Sequence, residues 1–386
     1  MDQFFSSEFS LGILGGGQLG KMLLTETQKW DIKTYVLDPS ADAPCRLGSN
    51  VFVQGSLMDY DTVYNFGKSL DVLTIEIEGV NLEALADLEN LGVKTYPRVE
   101  TLRFIQDKGV QKSFYADHQI PTAPFELFEN KDVLIAAYQN GEFSLPKVWK
   151  VCRGGYDGNG VQILRTPEDF NRLPQAPCIL EHLVPFTHEL AVIVARSPHG
   201  EERTYPVVEM EFHPEANQVE YVLCPARIDD SLAKKAQDVA LMVSRALKHV
   251  GLLAVELFAT ESGEVIVNEV APRPHNSGHY SIEASYTNQF EQHLRAILGL
   301  PLGETKSKGA GIMVNLVGAE GHTGPVHYEH IEHILAIPGV TPHIYGKKET
   351  RPFRKMGHVT IIHEDMTQAR LIAEQVKNSI NVISKS

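Results

Sequence analysis

The chain has 386 residues, 43% hydrophobic and 22% charged, an ordinary globular composition with length enough for two or three domains. Its 35 basic and 49 acidic side chains leave a formal charge of -14, which argues against nonspecific binding to nucleic acid or an anionic membrane but leaves room for a local basic pocket. No apolar run approaches the roughly 20 residues that span a bilayer, the acidic start MDQFFSSEFS does not read as a secretory signal, and Cys45, Cys152, Cys178 and Cys224 form no CxxC, so a reduced, cytoplasmic protein with buried structural thiols is expected.

In chain order, Leu11–Leu14 and Lys33–Leu37 read as buried strands around an amphipathic helix from about Gln18 to Trp30. Asp71–Ile77 and Gly92–Tyr96 supply two more strands, and the alternation predicts an α/β layer with a parallel sheet. One long helix is expected over roughly Val99–Gln119, carrying Lys108 and Lys112 and stopping before Pro121. Pro121–Arg196 then reads as a compact α+β module, with a helix near Asp132–Tyr138 and strands at Leu145–Cys152, Gly160–Leu164, Cys178–Glu181 and Glu189–Val194. A helix over Ile228–Val250 precedes two strands separated by Ser262-Gly263. Asn288–Leu298 is helical, with Phe290, Leu294 and Ile297 on one face, and Gly299 and Pro301 end it, which places a domain boundary at Gly299–Gly303. Mixed strand follows to about residue 363, then a helix over Thr367–Val376.

Three motifs carry chemistry. In LGILGGGQLGKM, Gly15, Gly17 and Gly20 match G-x-G-x-x-G after a strand, and Asp38 closes the next strand. That suits a dinucleotide, another phosphate at a helix N-terminus, or nothing beyond a tight turn. In Lys150–Gly160, KVCRGGYDGNG, glycines between two strands offer backbone N–H groups to phosphates, with Lys150 just before them; the competing reading is a surface hairpin. Glu181 and Glu189 suit a base amine and ribose hydroxyls, although an acidic residue ending a strand is usually just solvated. In Leu253–Tyr280, a two-residue turn at Ser262-Gly263 makes Glu261 face Glu264 and sets Glu256 opposite Glu269. Like charges so placed suit a divalent cation such as Mg²⁺ bridging nucleotide phosphates; the alternative is two solvated glutamates. Asn268, Arg273, His275, Asn276 and His279 crowd the same stretch.

The ordered set GGGQLGKM, Lys108, Lys150 before GGYDGNG, ILEHLV with Glu189, Glu256, Asn268-Glu269, APRPHNSGHY, QFEQHLRAILGLPLG and RPFRKMGH closely resembles the N5-carboxyaminoimidazole ribonucleotide synthetases, ATP-grasp enzymes of purine biosynthesis. The resemblance runs from about Leu11 to His363. It implies an α/β and α+β chain with the ATP-grasp fold: a Rossmann-like N-terminal domain (1–105), an ATP-grasp domain (106–298, lid about 121–188) and a small C-terminal domain (299–386). It further implies that Lys108 and Lys150 bind ATP phosphates under the loop Gly155, Tyr156, Asp157, Gly158, Asn159, Gly160 and Val161. Glu181, His182, Leu183, Val184 and Glu189 would hold adenine and ribose, and Glu256 and Glu269 would hold Mg²⁺ with Asn268 beside them. Gly17, Gln18 and Leu19 would face the ribonucleotide, with Tyr156, Asp157, Lys347, Arg351, Arg354 and Lys355. Arg273 would join Lys150 on the transferring phosphoryl, and Asp157 would act on or orient the amine. The substrates implied are ATP, bicarbonate and aminoimidazole ribonucleotide, and the assembly a homodimer. Two departures stand out: Phe353 occupies a position where the family usually has Gly, and His213 is displaced from the position where many members carry a nucleotide-contacting histidine. Rival readings are an ATP-grasp ligase acting on another amine, which HNSGHY and RKMGH oppose, an NAD-dependent oxidoreductase, which leaves the carboxylate hairpin unused, and a catalytically dead nucleotide-binding protein.

Overall fold

The structure, a computed structural model, describes residues 4–155, 160–213 and 218–385. The first region comprises β1 (Ser10–Leu14), α1 (Gln18–Lys29), β2 (Lys33–Asp38), β3 (Val51–Gln54), α2 (Tyr60–Gly67), β4 (Val72–Ile75), α3 (Leu82–Leu91) and β5 (Lys94–Tyr96). Its five strands are all parallel, in the order β3-β2-β1-β4-β5. The central strands SLGIL and VLTI are buried along their whole length, as strands covered by helices on both faces must be. Strand order reverses between β1 and β4, so a crevice opens at their carboxyl ends, where the glycine turn lies. Gly92, expected at the head of a strand, is instead the left-handed cap of α3, with φ 99°.

The expected long helix is two. α4 (Val99–Ile105) stops, and α5 (Lys108–Asp117) starts afresh because the Asp107 carboxylate accepts the N–H groups of Gly109 and Val110 at 2.9 and 3.1 Å. Lys108 is thus the first residue of a new helix.

β6 (Phe125–Phe128), α6 (Lys131–Gln139), β7 (Lys147–Val151), β8 (Val161–Leu164) and β9 (Cys178–His182) form a separate unit, a four-stranded antiparallel sheet in the order β6-β9-β7-β8. It has its own core around Trp149, Leu164, Phe170 and Leu180. The unit ends at β9, earlier than the sequence suggests, because β10 (Phe186–Arg196) pairs along β14 (Gly251–Thr260) and belongs to the next sheet.

That sheet has nine strands. β10 carries β11 (Glu202–Thr204) at one end and neighbours β12 (Val208–Phe212), which pairs β13 (Val219–Cys224). After α7 (Asp230–Leu247) come β14 and β15 (Val265–Ala271), then α8 (Ser281–Ala284) and α9 (Gln289–Ile297). β16 (Ala310–Val317) pairs β13 directly, so the large sheet continues across the domain boundary expected at Gly299–Gly303. β17 (Gly324–Glu329), α10 (Ile331–Ile334), β18 (Val340–Ile344), β19 (Glu349–Thr350), β20 (Lys355–His363), α11 (Met366–Ser379) and β21 (Asn381–Ser384) complete the chain. The large sheet runs β15-β14-β10-β12-β13-β16-β20-β18, and β19-β17-β21 form a small one. Phe290, Leu294 and Ile297 of α9 pack into the core beside Leu11, Leu23 and Leu24, which docks the first region on the large sheet.

Candidate active site

The hairpin β14–β15 does set Glu256 against Glu269, by a route the sequence did not disclose. The turn has three residues: Gly263 N–H donates to Thr260 O and Thr260 N–H to Glu264 O, both at 3.0 Å, with Gly263 at φ 75°. Glu261 therefore does not face Glu264, and the ladder runs one step off, through Ala259–Val265 and Leu257–Val267. A bulge then takes up Asn268 and restores the offset, so Glu256 meets Glu269. Glu189 lies on the same face of the neighbouring strand, two residues from Ala191, the partner of Glu256. Burial lifts the Glu256 carboxyl to about 7, with Glu269 and Glu189 adding to the rise. Burial also lifts Glu189 to about 7. Three carboxylates thus converge where a cation would relieve them.

Cations flank this face. Lys108 Nζ donates to Glu269 Oε1 at 2.5 Å. Lys150, on β7, pairs with Glu181 Oε2 at 2.9 Å and donates to Asn268 Oδ1 at 3.1 Å. The sequence reading missed Lys112 as a site residue: one turn beyond Lys108, it pairs with the other Glu181 oxygen, Oε1, at 2.9 Å. Burial alone would raise Glu181, but Lys150 and Lys112 hold it below the usual carboxylate value. Burial draws Lys112 down to about 8 against the pull of Glu181. Both Glu181 oxygens are thus held by lysines, whereas Glu189 is half-buried. His182, the last residue of β9, and Leu183 are exposed and Val184 is half-buried. Gly155, Gly160 and Val161 border the glycine-rich loop, and Val151 N–H donates to Gly160 O at 2.9 Å. Tyr156, Asp157, Gly158 and Asn159 lie outside the described residues.

At the N-terminal glycines the dinucleotide reading fails. Gly17 N–H donates to Glu76 Oε1 and Gly20 N–H to Glu76 Oε2, both at 2.8 Å, so a protein carboxylate sits where a pyrophosphate would. A Cβ on Gly17 would come within 2.2 Å of Glu76 Oε1, which explains the glycine. Asp38 accepts the N–H groups of Gly16 and Ser40, both at 2.7 Å. Gln18 and Leu19 are half-buried on the first turn of α1. Glu78, two residues beyond Glu76, grips Arg273 with both oxygens, at 2.9 Å to Nε and 3.2 Å to Nη2. His275 Nε2 lies 3.6 Å from Glu256 Oε1, and the Asn276 and Asn315 amides pair. Glu76 and Glu78 escaped the sequence reading; the available signal was IEIE at the carboxyl end of an apolar strand beside the glycine turn.

The basic segment closes the third side. Lys21 Nζ of α1 donates to Ile344 O at 2.8 Å, Lys347 Nζ to Lys355 O at 2.7 Å and Arg354 Nη1 to Glu349 O at 2.6 Å, while Arg351 is exposed. Lys348, without an assigned role from sequence, pairs with Asp42 at 2.5 Å and so ties this segment to the first region. Lys355 is close enough to Glu256 to oppose the rise of its carboxyl. Phe353 sits at φ 61°, the third position of a turn in which Arg354 N–H donates to Arg351 O at 3.0 Å. With Pro352 before it, this is a type II turn, whose left-handed position favours glycine. The Phe353 ring packs edge-on to His213 at 6.0 Å between centroids.

Family models match three stretches: a ribonucleotide synthetase preATP-grasp domain over 9–106, an ATP-grasp domain over 113–290 and a phosphoribosylaminoimidazole carboxylase C-terminal domain over 311–371. The N5-carboxyaminoimidazole ribonucleotide synthase of Bacillus subtilis is 38% identical over 92% of this chain and 91% of its own. The crystal structure of N5-carboxyaminoimidazole ribonucleotide synthetase from Thermotoga maritima superposes with a TM-score of 0.88 at 40% identity, covering 98% of this chain and 100% of that one. A structure of N5-carboxyaminoimidazole synthase from Aspergillus clavatus, in complex with ADP and 5-aminoimidazole ribonucleotide, superposes at 0.87 with 31% identity, over 96% of this chain and 98% of that one. With its Rossmann-like first region, ATP-grasp sheets and third domain in that order, the chain belongs to the N5-carboxyaminoimidazole ribonucleotide synthetase family.

Proposed function

We propose that this chain carboxylates 5-aminoimidazole ribonucleotide at its exocyclic amine, consuming ATP and bicarbonate and releasing ADP and phosphate. The carrying observation is Glu256 opposite Glu269 with Lys108 and Lys150 alongside, in a chain whose relatives bear that name. Bicarbonate is a poor electrophile, and phosphoryl transfer from ATP converts it to carboxyphosphate, the activated carbonyl donor. The protein's work is positioning and charge neutralisation. Lys150 and Lys108 meet the phosphates, Glu189 and residues 182–184 the nucleoside, and Arg273, held by Glu78, joins Lys150 on the transferring phosphoryl. Lys347, Arg351, Arg354 and Lys355 receive the ribonucleotide phosphate, since arginine grips phosphate in a planar fork. Gly17, Gln18 and Leu19 border its other side, and Tyr156 and Asp157 are assigned to substrate by the family resemblance.

Glu256 and Glu269 fit Mg²⁺: they are hard oxygen donors on one face, and Glu256 is unsettled by burial beside two like charges. Bound there, Mg²⁺ would neutralise charge on the transferring phosphoryl. We infer also a cytoplasmic homodimer; all four cysteines are free and buried, which suits a reducing compartment. Among the described residues no helix is long and apolar enough to cross a membrane.

Phosphate release is measured with and without the ribonucleotide and bicarbonate, and labelled bicarbonate is traced into product. Labelled carbamate that depends on all three substrates is expected. Ribonucleotide-stimulated ATP turnover without labelled carbamate would point to another amine ligase, and tight NADH binding without ATP turnover to the oxidoreductase.

A further inference from the structure

The Lys112–Glu181–Lys150 cluster holds two cations against one anion. All three side chains are deeply buried, at 3%, 5% and 9% exposure. The Lys112 ammonium has two partners: its Nζ donates to Thr122 Oγ1 at 2.5 Å and pairs with Glu181. Thr122 in turn bridges to Val267 of β15, and Val267 N–H donates to Pro121 O at 2.8 Å, so this anchor sits where the chain passes from α5 into the four-stranded unit. Lys112 stands one turn from Lys108 on the same side of α5, but its ammonium is buried and engaged, while Lys108 pairs with the half-exposed Glu269. Lys150 has a second partner in Asn268, next to the proposed metal ligand Glu269.

A buried carboxylate whose cation is removed becomes strongly unfavourable. Were Lys150 the sole partner of Glu181, swinging its ammonium to a phosphate would strand that anion. Lys112 removes the conflict, because Glu181 keeps a full countercharge when Lys150 leaves, and the cluster's net positive charge is directed at the nucleotide.

We propose that Lys112 is a positioning residue for phosphoryl transfer: it is the standing counter-ion of Glu181 and so frees Lys150 for the ATP phosphates. The proposal rests on Lys150 contacting phosphate, as argued above. In the absence of Lys112, Glu181 competes with ATP for Lys150.

The test is steady-state kinetics of Lys112→Met, Glu181→Gln and the double variant, varying ATP and the ribonucleotide separately. Lys112→Met is expected to lose about tenfold or more in kcat/KM for ATP while the KM for ribonucleotide stays within about twofold. In the Glu181→Gln background, where no anion competes for Lys150, the same substitution is expected to cost less than about threefold. Equal losses in both backgrounds, or equal effects on ATP and ribonucleotide, would overturn the proposal and leave Lys112 a structural pillar or a direct ligand. If Lys112→Met does not fold, Glu181→Gln and the double variant decide alone, because neither buries an unpaired anion at residue 181: no further loss in the double supports the proposal and a further loss above threefold overturns it. Lys150→Met separates the two levels of inference. If it leaves ATP kinetics intact, the placement of Lys150 on phosphate is wrong whatever Lys112 does.

Discussion

The glycine turn after β1 and the hairpin β14–β15 each gather carboxylates, and they treat them oppositely. At the turn, Glu76 meets the N–H groups of Gly17 and Gly20, and Asp38 those of Gly16 and Ser40, so each acid has backbone partners supplied by the fold. At the hairpin, Glu256 and Glu269 are brought side by side, with Glu189 near and a Lys108 contact on the more exposed Glu269. The first arrangement is finished within the protein, whereas the second is left short of positive charge. A pattern that looks built for a ligand can therefore be a closed structural device, while an ordinary-looking hairpin holds the open position.

The comparison breaks most visibly at Glu269. Glu269→Gln keeps shape and removes an anionic ligand, and turnover should fall by at least about 10²-fold, or roughly 2.7 kcal/mol of transition-state stabilisation. The ligand-free chain should melt no lower than the parent, since a like-charge neighbour of Glu256 is gone. Near-normal turnover at limiting Mg²⁺ would show that the hairpin is as closed as the turn.

Glu76→Gln tests the other side. An amide oxygen can accept one of the two glycine N–H groups but its NH₂ cannot accept the second, so a loss of about 1–3 kcal/mol is expected. Hydrogen exchange at the Gly17 and Gly20 amides should speed up while the hairpin amides keep their protection. Unchanged exchange at both glycines would mean that the carboxylate does not close the turn.

The hairpin carboxylates also give the chain a response to pH. Glu256 and Glu189 hold their protons more tightly folded than the ordinary value of 4.5, at about 7 each. They therefore add stability that is complete below that ordinary value and is lost as pH rises through about 7. The ligand-free chain should melt lower at pH 8 than at pH 6, and added Mg²⁺ should raise the melting temperature more at pH 8, where it need not displace protons. An equal Mg²⁺ effect at both pH values would remove these carboxylates from the metal site.

The smallest expected effect is at Phe353. Left-handed backbone costs a non-glycine residue about 1–2 kcal/mol, and glycine returns roughly half of that as unfolded-chain entropy. Phe353→Gly should gain up to about 1 kcal/mol in denaturant unfolding. A clear loss instead would show that the ring's packing on His213 outweighs the strain.

Legibility in the sequence followed locality. Glu256 and Glu269 lie within one hairpin, so counting found their pairing even though the turn was mistaken and a bulge at Asn268 cancelled the error. The parallel first sheet was readable because β1 and β4 are apolar throughout. The break before Lys108 was hidden because apolar spacing runs on across it, and a single capping side chain, Asp107, decides it. Glu76 and Glu78 left only the faint IEIE signal and Lys112 none, because their partners lie far along the chain: Gly17 and Gly20 for Glu76, Arg273 for Glu78, Glu181 for Lys112. Phe353 was legible as a departure, but its strain and its contact with His213 exist only in three dimensions.

The uninterrupted run of hydrogen bonds from β15 to β18 has a mechanical meaning. The carboxylate hairpin lies at one end of this run, and the strand from which the basic segment springs, β20, lies near the other, across β10, β12, β13 and β16. Domain names suggest separable parts, yet both grips belong to one hydrogen-bonded sheet, and Lys355 of β20 comes near enough to Glu256 of β14 to act on its carboxyl. The four-stranded unit has its own core and its own sheet. Its strands share no ladder with the large sheet, and Lys150 of β7 reaches the carboxylate hairpin through Asn268.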